Sequence, residues 1–209
     1  MSSTENVDLS QILTLDLFES LRRVHLPWPE DQPLNFSVVT KPNTRPEFYK
    51  LAFHPALKPL STLGLGNVPD LMQFLPPPEV QDFPSKALGL VLLLDQAPRS
   101  IIHGGVSDRY TFSYFDVLCE KLVGQLYTLP AHLRPDNMER LMSQGWGYGY
   151  AMVARVWFLA PLVHSESLSA HEKALELNEG IRTDVEKRVG KTDANRATDK
   201  TSTTSSRSP

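Results

Sequence analysis

The sequence predicts an all-α protein, and three observations carry that prediction. Apolar residues recur at helical spacing along most of the chain, capping residues stand ahead of several such stretches, and no strong hairpin turn appears. At 209 residues, with 41% hydrophobic and 22% charged side chains, the chain suits one globular domain.

The first helix opens at Asp8, with Gln11 three positions later in a capping-box arrangement. Leu9, Ile12, Leu13, Leu17, Leu21 and Val24 form its apolar face, and Pro27-Trp28-Pro29 stops it. A second helix is expected from Thr44, with Glu47 at the box position and Phe48, Leu51 and Ala52 facing inward. A third, short one is expected over Val68 to Leu75, capped by Asn67. Pro76-Pro77-Pro78 then enforces extended chain, because proline removes a donor and disfavours helix in the residue before it.

Ser85 is expected to cap a helix starting at Lys86. Ala87 to Leu94 is apolar nearly all round, which suits a buried helix or a buried parallel strand; leucine outnumbers the one β-branched residue, Val91, and favours helix. Gly104-Gly105 reads as its stop. Phe112, Phe115, Leu118, Leu122 and Leu126 line the next amphipathic segment, and Pro135 with Asp136 marks a further start ahead of Met138, Leu141 and Met142.

In Gly145-Trp146-Gly147-Tyr148-Gly149-Tyr150 the glycines either break the helix or admit a close neighbour. No strand precedes them, so they are not a dinucleotide fingerprint. Ala151 to Val163 is apolar apart from Arg155, with a kink expected at Pro161. Ser169 and Glu172 signal a last helix with Leu175, Ile181 and Val185 on one stripe, ended by Lys187-Arg188 and Gly190.

These readings place one helical domain over 1–190, made of a proline-rich part (1–84) and a core (85–190). The polar tail, 191–209, buries too little apolar area to offset its ordering entropy, so disorder is expected there. A net charge of −3 gives no basic surplus for nucleic acid or an anionic membrane. The longest apolar run, Leu88 to Leu94, is far short of a bilayer span, and Met1 to Glu5 lacks the basic region of a secretory signal. The cytoplasm is the expected compartment, with a nuclear pool left open. Cys119 is the sole cysteine, so no intramolecular disulfide forms, and its apolar segment predicts a buried, inert thiol.

Two segments belong together: Leu90-Val91-Leu92-Leu93-Leu94-Asp95-Gln96-Ala97-Pro98-Arg99-Ser100-Ile101, and Trp157-Phe158-Leu159-Ala160-Pro161-Leu162-Val163-His164-Ser165-Glu166-Ser167-Leu168. They resemble the two signature segments of the domain-of-unknown-function 924 family, over about Lys86 to Gly190. The resemblance implies a tetratricopeptide-like array of packed antiparallel helices, here with an irregular proline-rich N-terminal segment; no repeat is visible in the sequence itself. Ser100, Ser167 and His171 depart from the family pattern, which has Asn, Asp and Gln there. Asp193-Ala194-Asn195-Arg196 only faintly echoes a C-terminal family segment, and the family's N-terminal tryptophan–phenylalanine signature is missing. A site lined by those pieces would be remodelled here, and the family supplies no established activity.

The polar residues in these segments are the candidate site. Asp95 and Arg99, four residues apart, can pair on one helical face. That pair either orients the helix or holds a guanidinium ready for a carboxylate or phosphate, with Gln96 and Ser165 as further ligand-binding candidates. His164 is the candidate general acid–base, oriented by Glu166 or Asp95. A Ser165-His164-Asp95 triad is disfavoured, because adjacent serine and histidine rarely aim at each other and no nucleophile elbow is present. Asp95, His164, Glu166 and His171 lack metal-site spacing, so no metal is assigned and the cofactor is unknown.

Two functions compete. One is a small-molecule-binding protein or an enzyme of a metabolic tailoring kind, taking a small anionic molecule in an Asp/Arg and His/Glu pocket. The other is a peptide- or protein-binding module on a helical surface, with Trp146, Tyr148 and Tyr150 as contacts wherever they are exposed. A degenerate relative that has kept the scaffold and lost the site is the remaining reading.

Overall fold

The computed structural model describes residues 7–34, 46–102 and 109–196, and the regular structure within them is helical, without strands. In chain order the helices are α1 (Leu9–Ile12), α2 (Leu15–His25), α3 (Pro46–Ala52), α4 (Lys58–Ser61), α5 (Phe83–Ile102), α6 (Asp116–Thr128), α7 (Met138–Ser143), α8 (Tyr148–His164) and α9 (Leu168–Val189). None of the described helices is long and apolar enough to cross a membrane.

The helix α5 is the axis of the core. Leu88 and Leu90 to Leu94 are all 0% exposed, so every side of the helix is covered. Its neighbours are α2, α3, α6 and α8. This burial explains why the run shows no amphipathic period: it has no solvent face. Gly89 sets the closest approach. A Cβ there would stand 2.0 Å from the Phe18 carbonyl oxygen, so α2 and α5 pack backbone against backbone.

Several expected boundaries move, each for a local reason. Asp8 caps as expected, accepting from Ser10 N–H at 3.0 Å, but the first helix divides in two. Thr14 caps α2 by accepting from Leu17 N–H at 3.2 Å, which restarts the helix. Thr44 lies outside the described residues; α3 buries Phe48 and Ala52 as expected. It continues through a wider π turn, Phe53–Leu57, where Pro55 lacks an N–H donor, into α4. The helix expected over Val68–Leu75 shrinks to a 3₁₀ turn, Leu71–Phe74, because Pro69 holds Val68 extended. Asp70, not Asn67, is its cap.

The start of α5 is Phe83, not Lys86. Pro84 fits the first turn, where its missing N–H costs nothing, and Ser85 donates to Glu19 at 2.6 Å instead of capping. The expected stop, Gly104-Gly105, lies outside the described residues. A π turn over Thr111–Phe115 precedes α6 and shifts Phe112 off the stripe, leaving it 46% exposed. Phe115, Leu118, Leu122 and Leu126 stay buried.

The N-cap of α7 is Asn137, while Asp136 pairs with Arg134 at 2.6 Å. Gly145, with φ of +87°, ends that region, and Gly147 lies tightly against the Asp31 backbone. Trp146 and Tyr150 are buried in the core, which removes them as surface contacts. Helix α8 then runs without interruption through Pro161.

Ser167, rather than Ser169, caps α9, and Gly190 ends it at a φ of +71° as expected. Of the expected stripe, Ile181 packs against the core while Leu175 and Val185 are 63% and 36% exposed; Ala170, Ala174 and Leu177 complete the packed face. Small alanines bring α9 close to α8. Of the tail expected to begin at 191, the described residues end at Arg196, which folds back onto Glu186 at 2.7 Å.

Candidate functional site

The two signature segments meet across the core. Asp95 lies on α5 and is 1% exposed; His164 is the last residue of α8 and keeps a third of its side chain open. The His164 Nδ1 atom stands 2.8 Å from Asp95 Oδ1. An ionised Asp95 can only accept, which puts the hydrogen on Nδ1 and leaves Nε2 of the neutral ring with a lone pair. Nε2 has no hydrogen-bond partner among the described residues.

Asp95 is held from other sides as well. Gln96 Nε2 donates to Oδ2 at 2.5 Å, and Arg99 Nη1 donates to the Asp95 carbonyl at 2.6 Å while lying 3.3 Å from Oδ1. Arg99 also grips Asp116 of α6 in a two-pronged pair, at 2.8 and 2.9 Å. Burial raises the Asp116 carboxyl above its ordinary range, with Arg99 pulling the other way. With one guanidinium between two acids, the cluster is formally balanced when His164 takes a proton.

The expected site residues therefore divide. Asp95, Gln96, Arg99 and His164 come together, and Asp95 rather than Glu166 orients the imidazole. Glu166 is exposed and takes no polar partner among the described residues. Ser165 donates to Glu120 at 2.6 Å and accepts from Ser167 N–H at 2.9 Å. Its proton goes to α6, not to His164, which dismantles the triad. The set weighed for a metal is not assembled, since Glu166 and His171 face solvent. Among the described residues no group of three or more His, Cys, Asp or Glu side chains has metal-holding geometry.

Two members were not foreseen. Asp116 and Glu120 sit one turn apart on α6, and the signal was an acid set directly within the apolar period of Phe115, Leu118 and Leu122. Cys119, between them, is fully buried, with Sγ 3.8 Å from the Val91 carbonyl. Burial, reinforced by the negative charges of Asp95 and Asp116, pushes its thiol well above the ordinary range.

The fold and site together define an all-helical protein whose central helix carries a buried acid paired to the histidine ending a second apolar helix. The chain belongs to the family described as bacterial protein of unknown function (DUF924), whose model matches residues 76–205, and both signature segments lie inside that match. No curated protein and no solved structure matches the chain.

Proposed function

We propose that the protein is an enzyme that moves a proton on a small molecule, with His164 as the general acid–base. One observation carries this reading: a buried carboxylate fixes Nδ1 of a partly exposed imidazole and leaves Nε2 open. Asp95 positions the ring, and Gln96 and Arg99 position Asp95. Arg99 has both terminal nitrogens on Asp116, so it anchors an anionic substrate only where Asp116 yields. The test is incubation of the protein with a small-molecule extract, followed by mass spectrometry. Compounds consumed by the wild type and spared by a folded His164→Gln variant support the reading. Identical consumption by both proteins, or none by either, defeats it.

A second reading, a tetratricopeptide-like interaction module, draws on a different observation. Val163, Leu168 and Leu175, around the α8–α9 turn, are 55%, 74% and 63% exposed. It predicts a stoichiometric protein or peptide partner lost on Leu168→Glu, and recovery of no such partner in pull-downs would end it.

A further inference from the structure

A second polar cluster occupies the other end of α5, with Glu19 of α2 at its hub. Glu19 Oε1 accepts from Arg22 Nη2 and Arg23 Nε, both at 2.6 Å. Its Oε2 accepts from Ser85 at 2.6 Å and from Lys86 at 3.4 Å. Arg22 is 2% exposed and fully committed: it also donates to the Tyr150 hydroxyl at 2.5 Å and pairs with Glu30 at 2.5 Å.

The outer groups are not committed. Among the described residues Arg23 is engaged only through Nε, and its side chain is 73% exposed. Lys86 has two long contacts, to Glu19 at 3.4 Å and Asp82 at 3.9 Å. Glu30 has an oxygen to spare beyond its Arg22 contact, and Asp82 is 53% exposed. These four residues line a cleft of about 510 Å³ with Trp146 on its wall. A second cleft, about 590 Å³, shares Arg23 and Glu30 and continues along Pro27 and Trp28. Both clefts are wide open to solvent and large enough to admit a small molecule.

We propose that this double cleft binds a free α-amino acid with an apolar side chain. Arg23 and Lys86 receive the carboxylate, Glu30 and Asp82 the ammonium, and the side chain lies along Pro27 and Trp28. The first cleft sets Glu19, Glu30 and Asp82 against Arg22, Arg23 and Lys86, and the second adds Asp31, so the double cleft offers both signs with one acid in excess, and a zwitterion adds no net charge to it. Lys86 is nine residues from Asp95 on α5, roughly 13 Å along a helix that rises ~1.5 Å per residue, so this site is independent of His164.

Calorimetric titration of the full chain tests it. L-phenylalanine and L-leucine are expected to bind; 3-phenylpropionate, lacking the ammonium, and phenethylamine, lacking the carboxylate, are each expected to bind roughly tenfold more weakly or worse. Arg23→Gln and Asp82→Asn replace exposed side chains, so both variants fold, and each is expected to weaken phenylalanine binding by roughly tenfold. No binding of either amino acid, equal binding of the two half-molecules, or unchanged affinity in both variants overturns the proposal.

Discussion

His164 and Asp95, 69 positions apart in the chain, meet through a single contact of 2.8 Å that joins the end of α8 to the buried flank of α5. The two partners are unequally exposed, so their removal has unequal consequences. Asp95→Ala leaves Arg99 and Gln96 facing an emptied, buried site, and a loss of about 3–5 kcal/mol is expected. His164→Ala opens a third-exposed position to water and is expected to cost about 1 kcal/mol. Urea unfolding of both variants checks this; equal losses would show that the imidazole is as structural as the acid.

Gly89→Ala places a methyl group on the Phe18 backbone, at 2.0 Å from its oxygen. Backbone has no rotamer with which to move away, so α2 and α5 must separate. A loss of about 3 kcal/mol or more is expected, at the upper end of overpacking effects. Thermal unfolding reads it directly, with Gly124→Ala as the control, since nothing lies within 4 Å of a Cβ there.

Acid sensitivity centres on Glu19. Hydrogen bonds from Arg22, Ser85 and Arg23 outweigh its desolvation and hold its carboxyl far below the ordinary 4.5. A depressed folded-state value contributes stability that is complete above 4.5 and is lost as pH falls below it. Asp116 has the opposite sign: its raised value favours the folded state at low pH, and that contribution fades as pH rises above 3.8. Unfolding free energies at pH 5, 4 and 3 should fall less steeply in Glu19→Gln than in wild type and more steeply in Asp116→Asn.

The Cys119 thiol is expected to resist thiol reagents at pH 8 in the folded protein and to react at the rate of unfolding. Prompt labelling of native protein by a disulfide-exchange reagent would contradict its burial.

The apolar scaffold was legible because period and burial coincide: α5 read as a buried helix from leucines alone. Helix ends were less legible. Pro84 suits a first turn as well as a linker, and Ser167 and Ser169 are both fair caps, so packing chooses between them. Half of the site was visible because Asp95, Arg99 and His164 interrupt long apolar runs. Asp116 and Glu120 were not, since acids on an amphipathic helix look like solvent-facing residues until the partner helix is known. The bond from Arg22 to Tyr150 spans 128 positions, and no local pattern announces it.

The contact at Gly89 also bears on where the protein can be cut. The matched stretch starts at residue 76, yet α2, which covers one flank of α5, lies upstream of it. A truncated chain beginning at 76 would lay bare the leucines that Phe18 and Leu21 shield, and would come out of cells as aggregate. Co-expressing the missing first third as a separate chain would be expected to return it to solution, as a two-piece protein reassembled along that seam.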